Sequence, residues 1–167
     1  MAEQIQKDAD KLSELQMVVA QLGEEEYGIP ILQIQEIALM TNITKISGMP
    51  SFVKGVINLR GKIVPVIDLR ERFGFEKKEY TDKTRIVIVQ IEKQSVGLIV
   101  DSVSEVIRIK LSDIDSVPST ISQIGEEYIN GVAKVGNNKL IILLNIEKLL
   151  GELDKVSVKK ISESRKE

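Results

Sequence analysis

Few side chains in this 167-residue sequence are of the kinds that do chemistry, and the two most versatile kinds are missing. There is no histidine and no cysteine, the residues that serve most general acid–base and nucleophilic sites. Carboxylates remain, with 25 Asp and Glu, and two of them facing one another would suffice as an acid and a base. Asp68, Asp101 and Glu36 are the candidates beside apolar runs, but each also has a structural role open to it. The stretch from 55 to 62 has the outline of a phosphate loop. It departs from one by placing five residues between the glycines, Ile63 where a hydroxyl should bind magnesium, and a strand where a helix must begin. No helix N-terminus then faces a phosphate, so nucleotide binding is not expected there.

Composition narrows the classes further. Net charge is -2, Lys and Arg are interleaved with Asp and Glu, and aromatics make up only 4%. Neither a basic stripe nor a base-stacking platform results, so no nucleic-acid partner is expected. The absence of cysteine excludes disulfides and permits a reducing compartment. No run of 18 apolar residues occurs and the first 12 residues lack an apolar signal core, so a soluble protein with no membrane insertion is expected.

The elements that would position these residues centre on residues 55–69, GVINLRGKIVPVIDL. Two apolar half-strands flank a polar turn. Asn58 and Gly61 tolerate the positive φ of a tight hairpin, Gly55 opens the first half-strand, and Arg60 stands at the tip. Pro65 donates no ladder hydrogen bond, which predicts an edge strand or a bulge. Asp68 then reads as an N-cap for a helical turn that stops at Gly74. Upstream, residues 15–22 and 27–29 read as strands around a turn at 23–26. Ile31, Ile34 and Ile37 fall three apart, and Pro30 favours a turn into a strand at 34–39.

The pattern returns later in the chain. Shifted by 69, residues 17–22 lie over 86–91, Gly28 over Gly97, Ile34 over Val103, and Glu36-Ile37 over Glu105-Val106. Shifted by 76, Gly55-Val56 lies over Gly131-Val132. Shifted by 77, Lys62-Ile63 lies over Lys139-Leu140, and Asp68 over Asn145. The extra residues fall in a loop at 110–127 and in the turn at 136–138. Two copies of one supersecondary unit follow, each of about five short strands and a terminal helical turn. Short strands with close turns indicate closed barrels rather than a parallel α/β sheet.

The predicted fold is all-β: two five-stranded β-barrels around a shared hydrophobic core, with short helical turns and a C-terminal helix. Expected boundaries are a tail at 1–12, one domain at 13–154 with repeats at about 15–80 and 84–151, and a polar tail at 155–167. Exchange of end strands between the repeats is left open. Asp68 and Asn145 are expected as caps contributing ~1 kcal/mol each. Arg60 is either a solvated turn charge or an interface anchor. Ile31, Ile34, Ile37, Val100, Val103 and Val106 occupy matching positions, so a seam open on one side would form a groove suited to an amphipathic helix.

With those residues laid out, the chain resembles the CheW family of bacterial chemotaxis adaptors, most specifically in FVKGVINLRGKIVPVIDL at 52–69. EEYGIPILQIQEI at 25–37, VGLIVDSVSEV at 96–106 and ILLNIEKLL at 142–150 support it. The resemblance implies two Src-homology-3-like barrels, no catalysis and no cofactor. It also implies a cytoplasmic adaptor, monomeric when free, joining chemoreceptor tips to the regulatory domain of the histidine kinase CheA within receptor arrays. The implied receptor contacts are Ile34, Glu36, Ile37, Arg60, Val100 and Val103. The kinase surface is carried over to the region of Gly131, Lys134 and Lys139. A small-ligand-binding double barrel is the alternative from another class.

Overall fold

A computed structural model describes residues 14–116 and 128–153. The expected tails, and most of the loop expected at 110–127, lie outside those residues. The first repeat supplies β1 (Glu14–Leu22), β2 (Glu25–Pro30), a 3-10 turn at Ile31–Gln33, β3 (Ile34–Leu39), β4 (Val53–Leu59), β5 (Lys62–Asp68) and α1 (Leu69–Arg72). The second supplies β6 (Arg85–Ile91), β7 (Gln94–Val100) and β8 (Ser102–Lys110). A 3-10 turn at Leu111–Asp113, β9 (Ile114–Asp115), β10 (Ile129–Val135), β11 (Lys139–Leu144) and α2 (Ile146–Leu153) follow.

The sheets do not follow the repeats. Sheet A has the order β8-β1-β2-β11-β10-β9 and sheet B the order β3-β6-β7-β5-β4. Each sheet therefore takes its leading hairpin from one repeat and its remaining strands from the other. Each exchanged hairpin is joined on both sides: antiparallel at β1 against β8 and β6 against β3, and parallel at β2 against β11 through Gly28 and Leu143 and at β7 against β5 through Gly97 and Val66. A Cβ on Gly28 would come within 2.9 Å of the Met17 sulfur, and one on Gly97 within 2.7 Å of Ile86. Met17 lies on the same hairpin as Gly28, and Ile86 on that of Gly97, while across the parallel joins Leu143 and Val66 stand at 3.1 and 3.4 Å. Glycine at both matched positions therefore chiefly spares a clash within the hairpin.

The strand carrying Pro65 is interior, lying between β7 and β4, where the sequence suggests an edge or a bulge. The reason is local. Val56, opposite Pro65, exchanges both backbone hydrogen bonds with Thr44 on its far side, each at 2.9 Å. The Val56–Pro65 pair is thus the non-hydrogen-bonded kind, and the parallel ladder to β7 begins only at Val66. The missing N–H costs neither ladder a bond.

Three apolar clusters result. Met17, Val19, Ile109, Ala133, Ile141 and Leu143 fill sheet A. Ile57, Val64, Val66, Ile86, Ile88 and Ile99 fill sheet B. The third and largest joins the two, with Ala20, Leu22, Tyr27 and Ile29 meeting Val87, Val89, Leu98 and Val100. Leu69 and Phe73, at the α1 end, and Ile146 and Leu149 of α2 close it, and the Phe73 ring lies 5.8 Å from that of Tyr27. At ~1.5–3 kcal/mol per buried aliphatic side chain, this seam binds the two sheets into one unit. Arg72 lies against rings at matched positions of the two repeats, with its guanidinium carbon 5.3 Å from the Phe52 centroid and 4.8 Å from that of Tyr128.

A candidate helix-docking margin on β3 and β8

The apolar face of the seam extends beyond its sealed centre onto two matching strands. In sheet B, Ile34 lies across from Val89 and Ile37 across from Val87, both seam residues. Residues three apart in a regular strand point to opposite faces. Here the ladder shifts between Ile34 and Glu36, leaving Gln35 as an extra residue, so both isoleucines face the seam. Sheet A repeats the device: Val103 lies across from Ala20 and Val106 across from Val18, with Ser104 as the extra residue.

Among the described residues neither strand is covered. Ile34 and Val103 are half-buried and pack against the same seam cluster, while Ile37 is 40% and Val106 51% exposed. Leu39 continues the face of Ile37 and is also exposed. Val100 differs from its expected place. It is 1% exposed and part of the sealed core, because it ends β7, which lies between β6 and β5. Val106 takes the lining role instead. The repeat already matched Val106 to Ile37 and Val100 to Ile31.

Glu36 and Arg60 meet one another rather than the isoleucines. Glu36 lies across from Ile88, on the side of sheet B's own interior, and accepts from Arg60 Nη2 at 2.9 Å. Arg60 holds a positive φ of 52° at the hairpin tip and its side chain is 74% exposed. Asn58 fastens the same turn by accepting from the Gly61 N–H at 2.8 Å. In the second repeat Glu105, matched to Glu36, is paired instead with Lys139, the residue matched to Lys62. Lys139 donates to Glu105 at 2.9 Å and lies 3.1 Å from Glu26, and hydrogen bonding to Glu105 and then Glu26 raises its ammonium above the ordinary range.

The β10–β11 hairpin places the other expected residues. Gly131 is buried at a shift in the ladder, with φ +151° and the Asp115 carbonyl where a Cβ would collide. Lys134 is exposed and lies 2.9 Å from Asp115, whose hydrogen bond raises its ammonium above the ordinary range. Leu140, across from Lys134, leaves an apolar side chain exposed beside this pair.

The carboxylates considered for acid–base work are committed elsewhere. Asp68 is buried, and its Oδ1 accepts from the N–H groups of Arg70 at 2.9 Å and Glu71 at 3.4 Å. Its Oδ2 accepts from Tyr80 at 3.0 Å. Asn145 accepts from the Lys148 N–H at 3.1 Å, the matching cap of α2. Asp101 accepts from the Gly23 N–H at 2.8 Å and from Arg70 at 2.6 Å. Among the described residues no group of His, Cys, Asp and Glu is placed to hold a metal ion, and no helix is long and apolar enough to cross a membrane. A polar cavity of about 340 Å³ beside Asp101 is lined by Gln21, Gly23, Lys78, Lys83 and Ser102, among others. It lacks the apolar lining typical of small-ligand sites.

Comparison with known proteins agrees with this geometry. The model of the CheW-like domain matches residues 16–154. The chemotaxis protein CheW of Klebsiella aerogenes is 37% identical over 149 residues, covering 89% of each chain. That of Helicobacter pylori is 38% identical over 144 residues, covering 86% of each. The crystal structure of the scaffolding protein TtCheW from Thermoanaerobacter tengcongensis superposes with a TM-score of 0.73 at 43% identity, covering 79% of this chain and 84% of that one. A two-sheet fold with exchanged hairpins and matches over most of the chain lead to one conclusion: the chain belongs to the CheW family.

Proposed function

We propose that this protein is a non-catalytic adaptor that joins the cytoplasmic tip of a chemoreceptor to the regulatory domain of the kinase CheA, in the cytoplasm at membrane-associated receptor arrays. The observation that carries the reading is the pair of ladder shifts in β3 and β8. They turn Ile34, Ile37, Val103 and Val106 onto the seam face, whose margin no described residue covers. Aliphatic side chains in that arrangement accept the apolar face of an amphipathic helix. Arg60, with Glu36 holding it at the hairpin tip, supplies a charge on the same repeat for a polar contact at the rim. The kinase domain takes the β10–β11 hairpin, where exposed Leu140 beside Lys134 and Lys139 offers an apolar centre with charges around it.

The two surfaces belong to one rigid body, so displacement of a receptor helix biases the kinase only by its differential affinity for the two kinase states, ~1–3 kcal/mol for linkages of this kind. Many such weak contacts acting together would hold an array. The test is a competition between a receptor-tip fragment and the isolated kinase regulatory domain on the full chain. Simultaneous binding supports the adaptor. Mutual exclusion, or binding of neither, contradicts it.

A further inference from the structure

The two sheets are joined at two crossovers, one inside each repeat, and among the described residues only one of them is fastened by charge. At the passage from β7 to β8, Asp101 Oδ2 accepts from the Gly23 N–H at 2.8 Å and from Arg70 Nη1 at 2.6 Å. Gly23 belongs to the β1–β2 turn of sheet A, and Arg70 to α1, which follows sheet B. The Asp101 N–H donates to the Gln21 carbonyl at 3.0 Å. Arg70 is itself held, donating through Nε to the Glu76 carbonyl at 3.0 Å with Phe75 beneath it at 5.8 Å. Both charged side chains are largely buried, where a pair is screened less than at the surface.

The matching crossover, from β2 to β3, has none of this. Shifting back by 69 places Leu32 where Asp101 stands and Gly23 where Glu92 stands, and shifting by 77 places Arg70 where Glu147 stands. The turn conformation is retained, with φ of 61° at Gly23 and 57° at Glu92. The chemistry is not: Leu32 is 97% exposed.

We propose that Asp101 and Arg70 are positioning residues for the helix-docking margin. Their ion pair fixes the β7–β8 crossover against both sheets, and so places Val103 and Val106, while the crossover through Leu32 leaves the Ile34 and Ile37 strand freer to adjust to the incoming helix. This rests on the docking reading above. The pair acts through β8, which begins one residue after Asp101, and touches no partner itself.

The absence of cysteine allows a direct test. Nitroxide labels at Lys62→Cys in sheet B and Arg108→Cys in sheet A report the placement of one sheet against the other, and labels at Lys62→Cys in β5 and Lys93→Cys in the β6–β7 turn, both on the sheet B side, serve as control. Asp101→Asn keeps an acceptor for the Gly23 N–H but removes the charge. It is expected to broaden the Lys62–Arg108 distance distribution about twofold, leave the control pair unchanged and weaken a receptor-tip helix about tenfold. Arg70→Lys, which keeps the charge and loses the fork, is expected to fall between the two, and serves in its place should Asp101→Asn not fold. Wild-type width and affinity in Asp101→Asn, or a lowered melting temperature with width and affinity unchanged, would overturn the proposal and leave the pair a stabilising contact. If the wild type binds no receptor helix, the docking reading fails, and the distance distributions alone decide whether the pair fixes the crossover.

Discussion

Ile37 and Val87 lie directly across from one another in the β3–β6 ladder, yet Val87 is sealed and Ile37 is 40% exposed. One strand spacing, about 4.8 Å, separates core from surface on a single apolar face. Ile37→Asp should therefore lower helix affinity at least tenfold while costing under about 1 kcal/mol of stability, as exposed positions do. Val106→Asp should behave alike. Ile34→Asp should lose binding too, with a larger stability cost because Ile34 packs against the seam. Val100→Asp buries an unpaired carboxylate and should unfold the protein. Calorimetric titration with a receptor-tip helix, paired with thermal melts, separates these outcomes.

The Arg60–Glu36 pair is exposed on the arginine side, which limits its worth to roughly 0–1 kcal/mol. Arg60→Glu places like charges together, and a loss of about 1 kcal/mol corresponds to roughly 2–4 °C in melting temperature for a domain of this size. Assembly with receptor and kinase should fall far more than that. Unchanged ternary assembly in a pull-down would make Arg60 a solvated turn charge.

Backbone substitutions test the hairpin independently of any partner. Gly55 has φ +141°, and a Cβ there would meet the Thr44 carbonyl at 2.0 Å. Gly55→Ala should cost more than about 3 kcal/mol in urea unfolding, since strain and collision act together. Gly61 has φ +85° with open space around it, so Gly61→Ala should cost only about 1 kcal/mol.

Alkaline pH should expose the Tyr80–Asp68 contact. Burial, then the Asp68 charge and hydrogen bond, raise the Tyr80 phenol above its ordinary value of 10.0. Above that value the unfolded chain releases the proton while the native state retains it, so stability falls as pH rises. Tyr80→Phe should lose roughly 0.5–1.5 kcal/mol at pH 7 with the hydrogen bond, yet show a shallower decline above pH 10. Some decline persists, because Tyr27 is raised by burial and by its hydrogen bond to Glu25. Denaturant midpoints from pH 7 to 11 measure both effects.

The repeat, the strand at 34–39 and the place of the turn before Gly61 were legible because each depends on neighbours within a few residues or on internal similarity. The positive φ expected of Asn58 falls on Arg60 instead, with Asn58 accepting from the Gly61 N–H. Features set by the partner strand were not. Pro65 suggests an edge until Thr44 is seen taking the hydrogen bonds of Val56. Val100 and Val103 are both valines near a strand end, and nothing local says that one is enclosed by β5 and β6 while the other lies on an open margin. The three-residue spacing of Ile34 and Ile37 argues against a shared strand face, and only the extra residue at Gln35 restores it. The Arg70–Asp101 pair joins positions 31 residues apart through an exchange of hairpins that spacing alone does not specify.

The most direct measurement is a chemical-shift map of the labelled full chain titrated with a receptor-tip helical peptide. The largest changes are expected at the methyl groups of Ile34, Ile37, Leu39, Val103 and Val106, with Leu140 and the cavity beside Ser102 little affected. Changes confined to the β10–β11 hairpin or to that cavity, with the β3 and β8 margin silent, would contradict helix docking on the seam.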